Sequence, residues 1–178
     1  NNTKTEAGSA YIFYSNNGLW NQVQKITASD RQDYDAFGRA VSISGEYAAV
    51  GAFAHQLDID GNNALIGAGA VYIYKNTSGI WTEIQKLVTK DRAAYDSFGL
   101  SICLSGSRLI SSSYYKIIDD GSGGNIYGVG AAYIFDNIEN VWTETEKLTA
   151  SDKAEYDNFG YSVSVSNNFA ILGAFQED

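Results

Sequence analysis

The amino-acid sequence predicts an all-β repeat protein in which each repeat contributes four antiparallel strands. Three observations support this fold class: a strict internal repeat, short segments of alternating apolar and polar residues, and polar or glycine-bearing turns between them. No segment has the sustained apolar period of a helix, which excludes helical solenoids. The 178 residues, 44% of them hydrophobic, suffice for a packed core.

The repeat is visible as residues that recur 61 positions apart without any insertion or deletion. They are Tyr11, Tyr72 and Tyr133; Trp20, Trp81 and Trp142; Lys25, Lys86 and Lys147; Asp30, Asp91 and Asp152; and the Phe-Gly pairs Phe37, Gly38, Phe98, Gly99, Phe159 and Gly160. So strict a period indicates repeated modules, each of which buries its faces against its neighbours.

Within one repeat the pattern predicts four strands, which we name A (residues 39–44), B (47–53), C (69–74) and D (81–88). Tight turns at 44–46 and 76–79 join A to B and C to D. A four-stranded module of this length favours a β-propeller blade over a leucine-rich or helical unit.

The phase of the repeat predicts about three blade equivalents. A C–D half-blade (1–37) is followed by two blades (38–98 and 99–159) and an A–B half-blade (160–178). Unpaired B and C strands would be exposed edges. We therefore expect half-blades 10–27 and 160–175 to be completed by further blades of a longer chain or by other protein chains. Copies of this chain are one such partner, closing a six-bladed ring in pairs or propagating as a filament.

The Asp-Ala-Phe-Gly motif at 35–38 and Gly-Ala-Phe at 51–53 resemble the FG-GAP repeat, and the resemblance covers nearly the whole chain. This family builds the seven-bladed propellers of integrin α chains and of many surface proteins. The resemblance therefore implies a propeller and an extracellular or cell-surface location. Phe53 and Phe175 stand where the family often has proline, and the second copy departs to Ser-Ser-Ser-Tyr at 111–114. The family's calcium motif normally lies in the A–B hairpin, which here is too short and too poor in carboxylates.

Acidic residues gather in the D–A and B–C loops, which the strand order places on one face of the blades. These loops hold most of the 21 acidic residues and form a candidate ligand face. The candidates are Asp30, Asp33, Asp35, Asp91, Asp96, Asp119, Asp120, Asp152 and Asp157. For Asp35, Asp96 and Asp157, which shortly precede Phe-Gly, capping of local backbone N–H groups is favoured over a ligand role.

One loop offers a candidate metal site. Asp58, Asp60 and Asn62 place oxygen ligands at alternate positions around a glycine, which is how a Ca²⁺ loop begins. No bidentate glutamate closes the pattern, so a solvated Asp/Gly turn is the preferred interpretation and calcium the alternative. No other cofactor is expected.

The repeated aromatic residues have a packing and a binding interpretation. Each tryptophan begins a strand D, where its ring would cover the neighbouring strand, and each Phe of Phe-Gly would plug the core between blades. Stacking on sugar rings is the alternative. Cys103 takes the place of a serine in strand A and is expected to be a small core residue.

Composition restricts the function classes. A formal net charge of −9 argues against a nucleic-acid partner, and no apolar run approaches the roughly 20 residues of a membrane span. His55 is the sole histidine, so a catalytic triad or histidine metal cluster has little support, and we predict no enzyme. Sequons at Asn1 and Asn76 are compatible with a secretory route.

The favoured hypothesis is a non-enzymatic extracellular scaffold for adhesion, assembly or ligand display. The alternative is a propeller domain of, or accessory to, a glycan-active enzyme, since carboxylate pairs are plentiful on the loop face.

Overall fold

The computed structural model describes residues 4–177, and every regular element in this part of the chain is a β-strand. The predicted all-β class is confirmed. No helix among these residues is long and apolar enough to cross a bilayer. The strands are β1 (Ala10–Asn16), β2 (Leu19–Ile26), β3 (Val41–Ser44), β4 (Tyr47–Ala52), β5 (Ala70–Thr77), β6 (Ile80–Leu87), β7 (Ile102–Ser105), β8 (Arg108–Ser113), β9 (Ile118–Asp119), β10 (Asn125–Ile126), β11 (Ala131–Ile138), β12 (Val141–Leu148), β13 (Ser162–Ser166) and β14 (Phe169–Gly173).

Two four-stranded antiparallel meanders form the middle of the molecule. Strands β3-β4-β5-β6 make the first sheet and β7-β8-β11-β12 the second, in the predicted order A-B-C-D. The two-stranded sheets β1-β2 and β13-β14 flank them as a C–D and an A–B pair. The sheets are not closed into a ring, which fits a partial set of propeller blades.

Strand C is longer than predicted and carries a bulge. In all three copies the C–D register shifts at the same place, between Ile12 and Phe13 in the first and at the equivalent pair in the others. A bulge bends and twists the strand locally. Pairing resumes after it and continues beyond the predicted end, to Thr77 opposite Ile80. The short pair β9-β10 lies in the second B–C loop and was not predicted.

The core lies between successive sheets. One buried cluster joins Ile26 and Phe37 to Tyr72 and Trp81 of the first meander. A second cluster joins both meanders, and a third extends it towards β13 and β14. The members of the second cluster are Ala49, Val71, Ile73, Leu87, Phe98, Ile102, Leu104, Leu109, Ala131, Tyr133, Phe135 and Trp142.

The A strands of successive sheets lie against one another and are joined by side chains. The Leu104 N–H donates to Ser42 Oγ at 2.9 Å, and the Val165 N–H lies 3.4 Å from Cys103 Sγ. Cys103 is therefore half-buried at a contact between two sheets, where its sulfur replaces the serine oxygen of the first copy.

Each D–A loop returns to the start of strand C of the sheet that precedes it. Isolated parallel bridges join Gly8 to Phe37, and the equivalent pairs in the next two copies. A Cβ at Gly69 would lie 2.1 Å from the Phe98 carbonyl oxygen. Only glycine permits this approach, which explains the glycine before each strand C.

Candidate functional site

The first D–A and B–C loops enclose a network of charged side chains. His55 is fully buried, with Nδ1 3.0 Å from Asp35 Oδ1 and Nε2 3.1 Å from Lys86 Nζ. Lys86 and the Tyr72 hydroxyl each donate to Asp30, both at 2.7 Å. The predicted loop residue Asp30 is thus committed to an ion pair, and the only imidazole is enclosed by charged partners.

The pKa values in this network follow from its contacts. Burial would raise the pKa of Asp30, but hydrogen bonds with His55, Lys86 and Tyr72 hold it well below its ordinary value. Burial would likewise lower the pKa of His55, but hydrogen bonds to Asp30 and Asp35 outweigh burial and the nearby Lys86, and the pKa is raised. Burial, followed by the Asp30 carboxylate, raises the pKa of Tyr72 far above its usual range.

The second copy builds the same network around a lysine. Lys116 takes the place of His55, with Nζ 2.7 Å from Asp96 Oδ2 and 3.5 Å from Asp91 Oδ1. Asp91 also accepts from Lys147 at 2.6 Å and from the Tyr133 hydroxyl at 2.8 Å. Despite burial, these donors lower the pKa of Asp91. Burial outweighs Lys116 at Asp96, whose pKa is raised.

Three predicted ligand-face carboxylates are buried. Asp35, Asp96 and Asp157 each accept a hydrogen bond from the backbone N–H three residues earlier. Each carboxylate therefore lies within its own loop and away from solvent. Asp33 is exposed and accepts from the Thr5 N–H, and Asp152 is also exposed.

The second B–C loop uses its carboxylates in the same local way. Asp119 accepts from the Gly121 N–H. Asp120 accepts from Ser122 and from the Gly124 N–H, and these bonds lower its pKa. Both side chains are exposed turn residues.

The structure places the calcium candidate in a hydrogen-bonded turn. Asp58 Oδ1 accepts from the N–H groups of Asp60 and Asn62, at 3.1 and 2.8 Å, and Oδ2 accepts from the Asn63 side chain. These bonds lower the pKa of Asp58. Among residues 4–177 no group of three or more His, Cys, Asp or Glu side chains is arranged to hold a metal ion.

Of the two sequons, Asn76 lies near the end of β5 and its Oδ1 accepts from the Gly79 N–H. Asn1 lies outside the described residues.

Trp81 and Trp142 pack between sheets. Trp142 is buried and meets Tyr47 of the first meander edge to face, with ring centroids 5.5 Å apart. The sequence predicts a ring that covers a neighbouring strand, and for Trp142 the strand contacted is β4 of the preceding sheet. Successive sheets are staggered, so that strand D of one sheet lies over the face of the sheet before it.

An amide that sequence reasoning missed fixes this stagger. Gln85 accepts from the Trp142 N–H and donates to the Trp142 carbonyl, and Gln24 does the same for Trp81. The recurrence of glutamine at the same position of the first two copies is the sequence feature that could have indicated this contact.

At the N-terminal end of the sheet stack an apolar groove is open. It has a volume of about 570 Å³ and is lined by β1, β3 and β4. Val41 and Ile43 face outward here and are each 59% exposed, whereas their counterparts Ile102 and Leu104 are buried beneath the first meander. The groove thus lies where strands A and B of a preceding blade would pack.

The last strand also carries exposed apolar side chains. Phe169 and Ile171 on β14 are 81% and 74% exposed, although Ala49 and Ile110, which align with Ile171, are fully buried. Within residues 4–177, β14 pairs with β13 alone and β1 pairs with β2 alone. Both ends therefore display an open strand edge beside exposed apolar side chains.

Comparison with known proteins agrees with this architecture. The family model described as "FG-GAP repeat" matches residues 20–74, 81–135 and 142–178. The three matches begin at the repeated tryptophan of each copy and together cover most of the chain. A search of curated proteins found no match.

Proposed function

This chain belongs to the FG-GAP repeat family, and from this premise we propose that it is a non-enzymatic extracellular scaffold. Its blades would make protein contacts through their faces and edges, in adhesion, assembly or ligand display. An extracellular or cell-surface location is typical of the family.

One observation carries the proposal, the exposure of the repeated tryptophan. Trp81 and Trp142 are buried against the sheet before them, whereas Trp20, in the same position of the first copy, is 68% exposed. Within the described residues, a surface that forms the interface between successive sheets is therefore exposed at the first sheet. Large exposed apolar surfaces of this kind are typical of protein interaction sites.

The polar residues support a structural role. His55, Asp35 and Asp96 are buried within ion networks, and Asp30 and Asp91 are paired with lysines. The glycan-enzyme alternative depends on carboxylates of this loop face, and five of them, Asp30, Asp35, Asp91, Asp96 and Asp157, are bound to neighbouring protein groups.

A tandem protein tests whether the open ends are blade interfaces. Two copies of the chain would be joined by a linker with the sequence of residues 57–61, which restores the 61-residue period across the junction. We expect Trp20 of the second unit to become buried and the melting temperature to rise, because the junction completes a four-stranded blade.

Acrylamide quenching of tryptophan fluorescence measures this burial. Trp20 of the first unit should be accessible to acrylamide, so Trp20→Phe there should remove fluorescence that acrylamide quenches. Trp20 of the second unit should be buried, so Trp20→Phe there should remove fluorescence that acrylamide does not quench. Equal quenching of the two residues, with an unchanged melting temperature, would contradict the proposal.

A further inference from the structure

We infer that the groove formed by β1, β3 and β4 takes the β13–β14 hairpin of a second copy of this chain. The inference rests on the proposed function, because it names the partner of the open blade end. The junction would have β14 beside β1 and β13 against β3.

The first argument is strand register. In the two meanders strand B pairs with strand C in the same register, Tyr47 opposite Lys75 in one and Arg108 opposite Asp136 in the other. Shifting this register by the 61-residue period places Phe169 opposite Tyr14 and Ile171 opposite Ile12. Every position of β14 then finds a partner on β1 without a bulge or gap.

The second argument is burial. The first meander lies against β7 in the way that β13–β14 would lie against β3 of the second copy. Val41 and Ile43 would then be covered as Ile102 and Leu104 are. The same contact would bury Phe169 and Ile171, whose side chains are exposed on the outward face of β14.

The third argument is the set of hydrogen bonds between A strands of successive sheets. Ser42 and Cys103 accept from the N–H groups of Leu104 and Val165, each on the next sheet. The equivalent acceptor on β13 is Ser164, and its donor on the second copy is the N–H of Ile43. Ser164 is exposed within the described chain, as is Ile43.

The fourth argument is charge. Asp30 and Asp91 each bind a tyrosine hydroxyl and a lysine from strands C and D of the blade that follows. Asp152 is the third member of this series. Its partners by period are Tyr11 and Lys25 of the second copy, both of which are exposed.

Two carboxylates distinguish the junction from the internal interfaces. Glu146 stands where Gln24 and Gln85 clamp a tryptophan backbone, and a carboxylate can accept but not donate there. Glu177 stands where the copies before it carry His55 and Lys116. The junction therefore has the contacts of an internal interface with weaker polar bonds, and we expect reversible association.

Disulfide trapping with swapped partners tests the register. Four single-cysteine chains are needed, each in a Cys103→Ser background: Ile12→Cys, Tyr14→Cys, Phe169→Cys and Ile171→Cys. Opposed residues on antiparallel strands have Cα atoms about 5 Å apart, within disulfide reach, whereas a displacement of two residues puts them about 8 Å apart. Mixing Tyr14→Cys with Phe169→Cys, or Ile12→Cys with Ile171→Cys, should give a crosslinked heterodimer, and exchanging the partners should not.

Sedimentation of the unmodified chain gives the second measurement. A concentration-dependent species of twice the chain mass is expected, and Ile171→Asp should weaken its formation about a hundredfold, because it buries a charge against the groove. Larger species joined by the same disulfide pairs also support the junction.

A chain that stays monomeric at high concentration, or crosslinking that ignores register, would overturn the inference. If the tandem protein buries Trp20 while separate copies stay monomeric, the scaffold proposal stands and the second copy is not its partner. If neither occurs, both proposals fail.

Discussion

The side-chain amide of Gln85 on β6 forms two hydrogen bonds with the backbone of Trp142 on β12, accepting at 2.9 Å and donating at 2.8 Å. The same arrangement joins Gln24 on β2 to Trp81 on β6. One amide thus fixes how far one sheet can slide over the next. Sheets that are also joined by apolar packing and by the hydrogen bonds between A strands acquire a defined stagger in this way.

Gln85→Glu should destabilise the protein by about 2 kcal/mol, because the donated bond is lost and a carboxylate faces a carbonyl oxygen. Urea denaturation would measure the loss. Gln22→Glu makes the same chemical change at an exposed position of β2 and serves as the control. Equal effects of the two substitutions would show that the charge, not the lost bond, is responsible.

His55 should make stability depend on pH. Its folded pKa is raised above the ordinary value of 6.5, so its contribution is complete below about pH 6.5 and is lost as pH rises through the folded pKa. Melting temperatures measured across this range should fall for the native chain. His55→Lys, which introduces the residue found at Lys116 in the second copy, should remove the dependence. A constant difference between the two proteins would contradict the prediction.

Ser113→Ala should stabilise the protein by about 1 kcal/mol, because a buried hydroxyl without a partner costs free energy. Among the described residues the Ser113 Oγ has no hydrogen-bond partner, and Ala52 and Ala174 occupy its position in the other copies. Denaturant midpoints would measure the gain. Ser107→Ala, in an exposed turn, is the control and should change stability little.

Calcium should leave the melting temperature unchanged. Both Asp58 oxygens already accept protein hydrogen bonds, and Asp58→Ala should lower the melting temperature equally with calcium and with chelator. Differential scanning calorimetry in both conditions would measure this. A calcium-dependent rise that Asp58→Ala abolishes would instead establish the loop as a metal site.

Glu177→Lys should stabilise the chain by about 1 kcal/mol, because it gives Asp157 and Asp152 of the same chain the cation that Lys116 supplies to Asp96 and Asp91. Urea denaturation would measure the gain. Glu155→Lys makes the same charge change in the D–A loop that holds Asp152 and Asp157. Equal stabilisation by both would attribute the effect to net charge and contradict a local role.

The sequence predicted the order of strands in each meander, because residues that recur at a fixed period occupy equivalent positions in successive repeats. Alternation then gave the strands and short polar turns gave the hairpins. It could not predict β9-β10, which has no counterpart in the described B–C loop between β4 and β5. The period also indicates that the three tryptophans occupy equivalent positions in their repeats, but it does not indicate which sheet each ring contacts.

The sequence pattern also could not predict that Trp20 and Ile43 are exposed. Their residue types and positions match buried counterparts, and only the neighbouring sheet decides their environment. The charged networks were partly visible, since the aligned lysines and aspartates proved to be partners. Their central member could not be found by period, because it changes from His55 to Lys116.

Between the A strands of residues 4–177, the backbone N–H groups that donate to side chains of another sheet all donate in one direction along the chain. Ser42 and Ser44 accept from backbone groups of the following sheet, and Cys103 does so in its turn. Successive sheets are therefore joined with a defined direction, from a side-chain acceptor on one A strand to an N–H donor on the next. The junction that we propose keeps this direction, because β13 would supply the Ser164 acceptor and β3 of the second copy would supply the N–H donor.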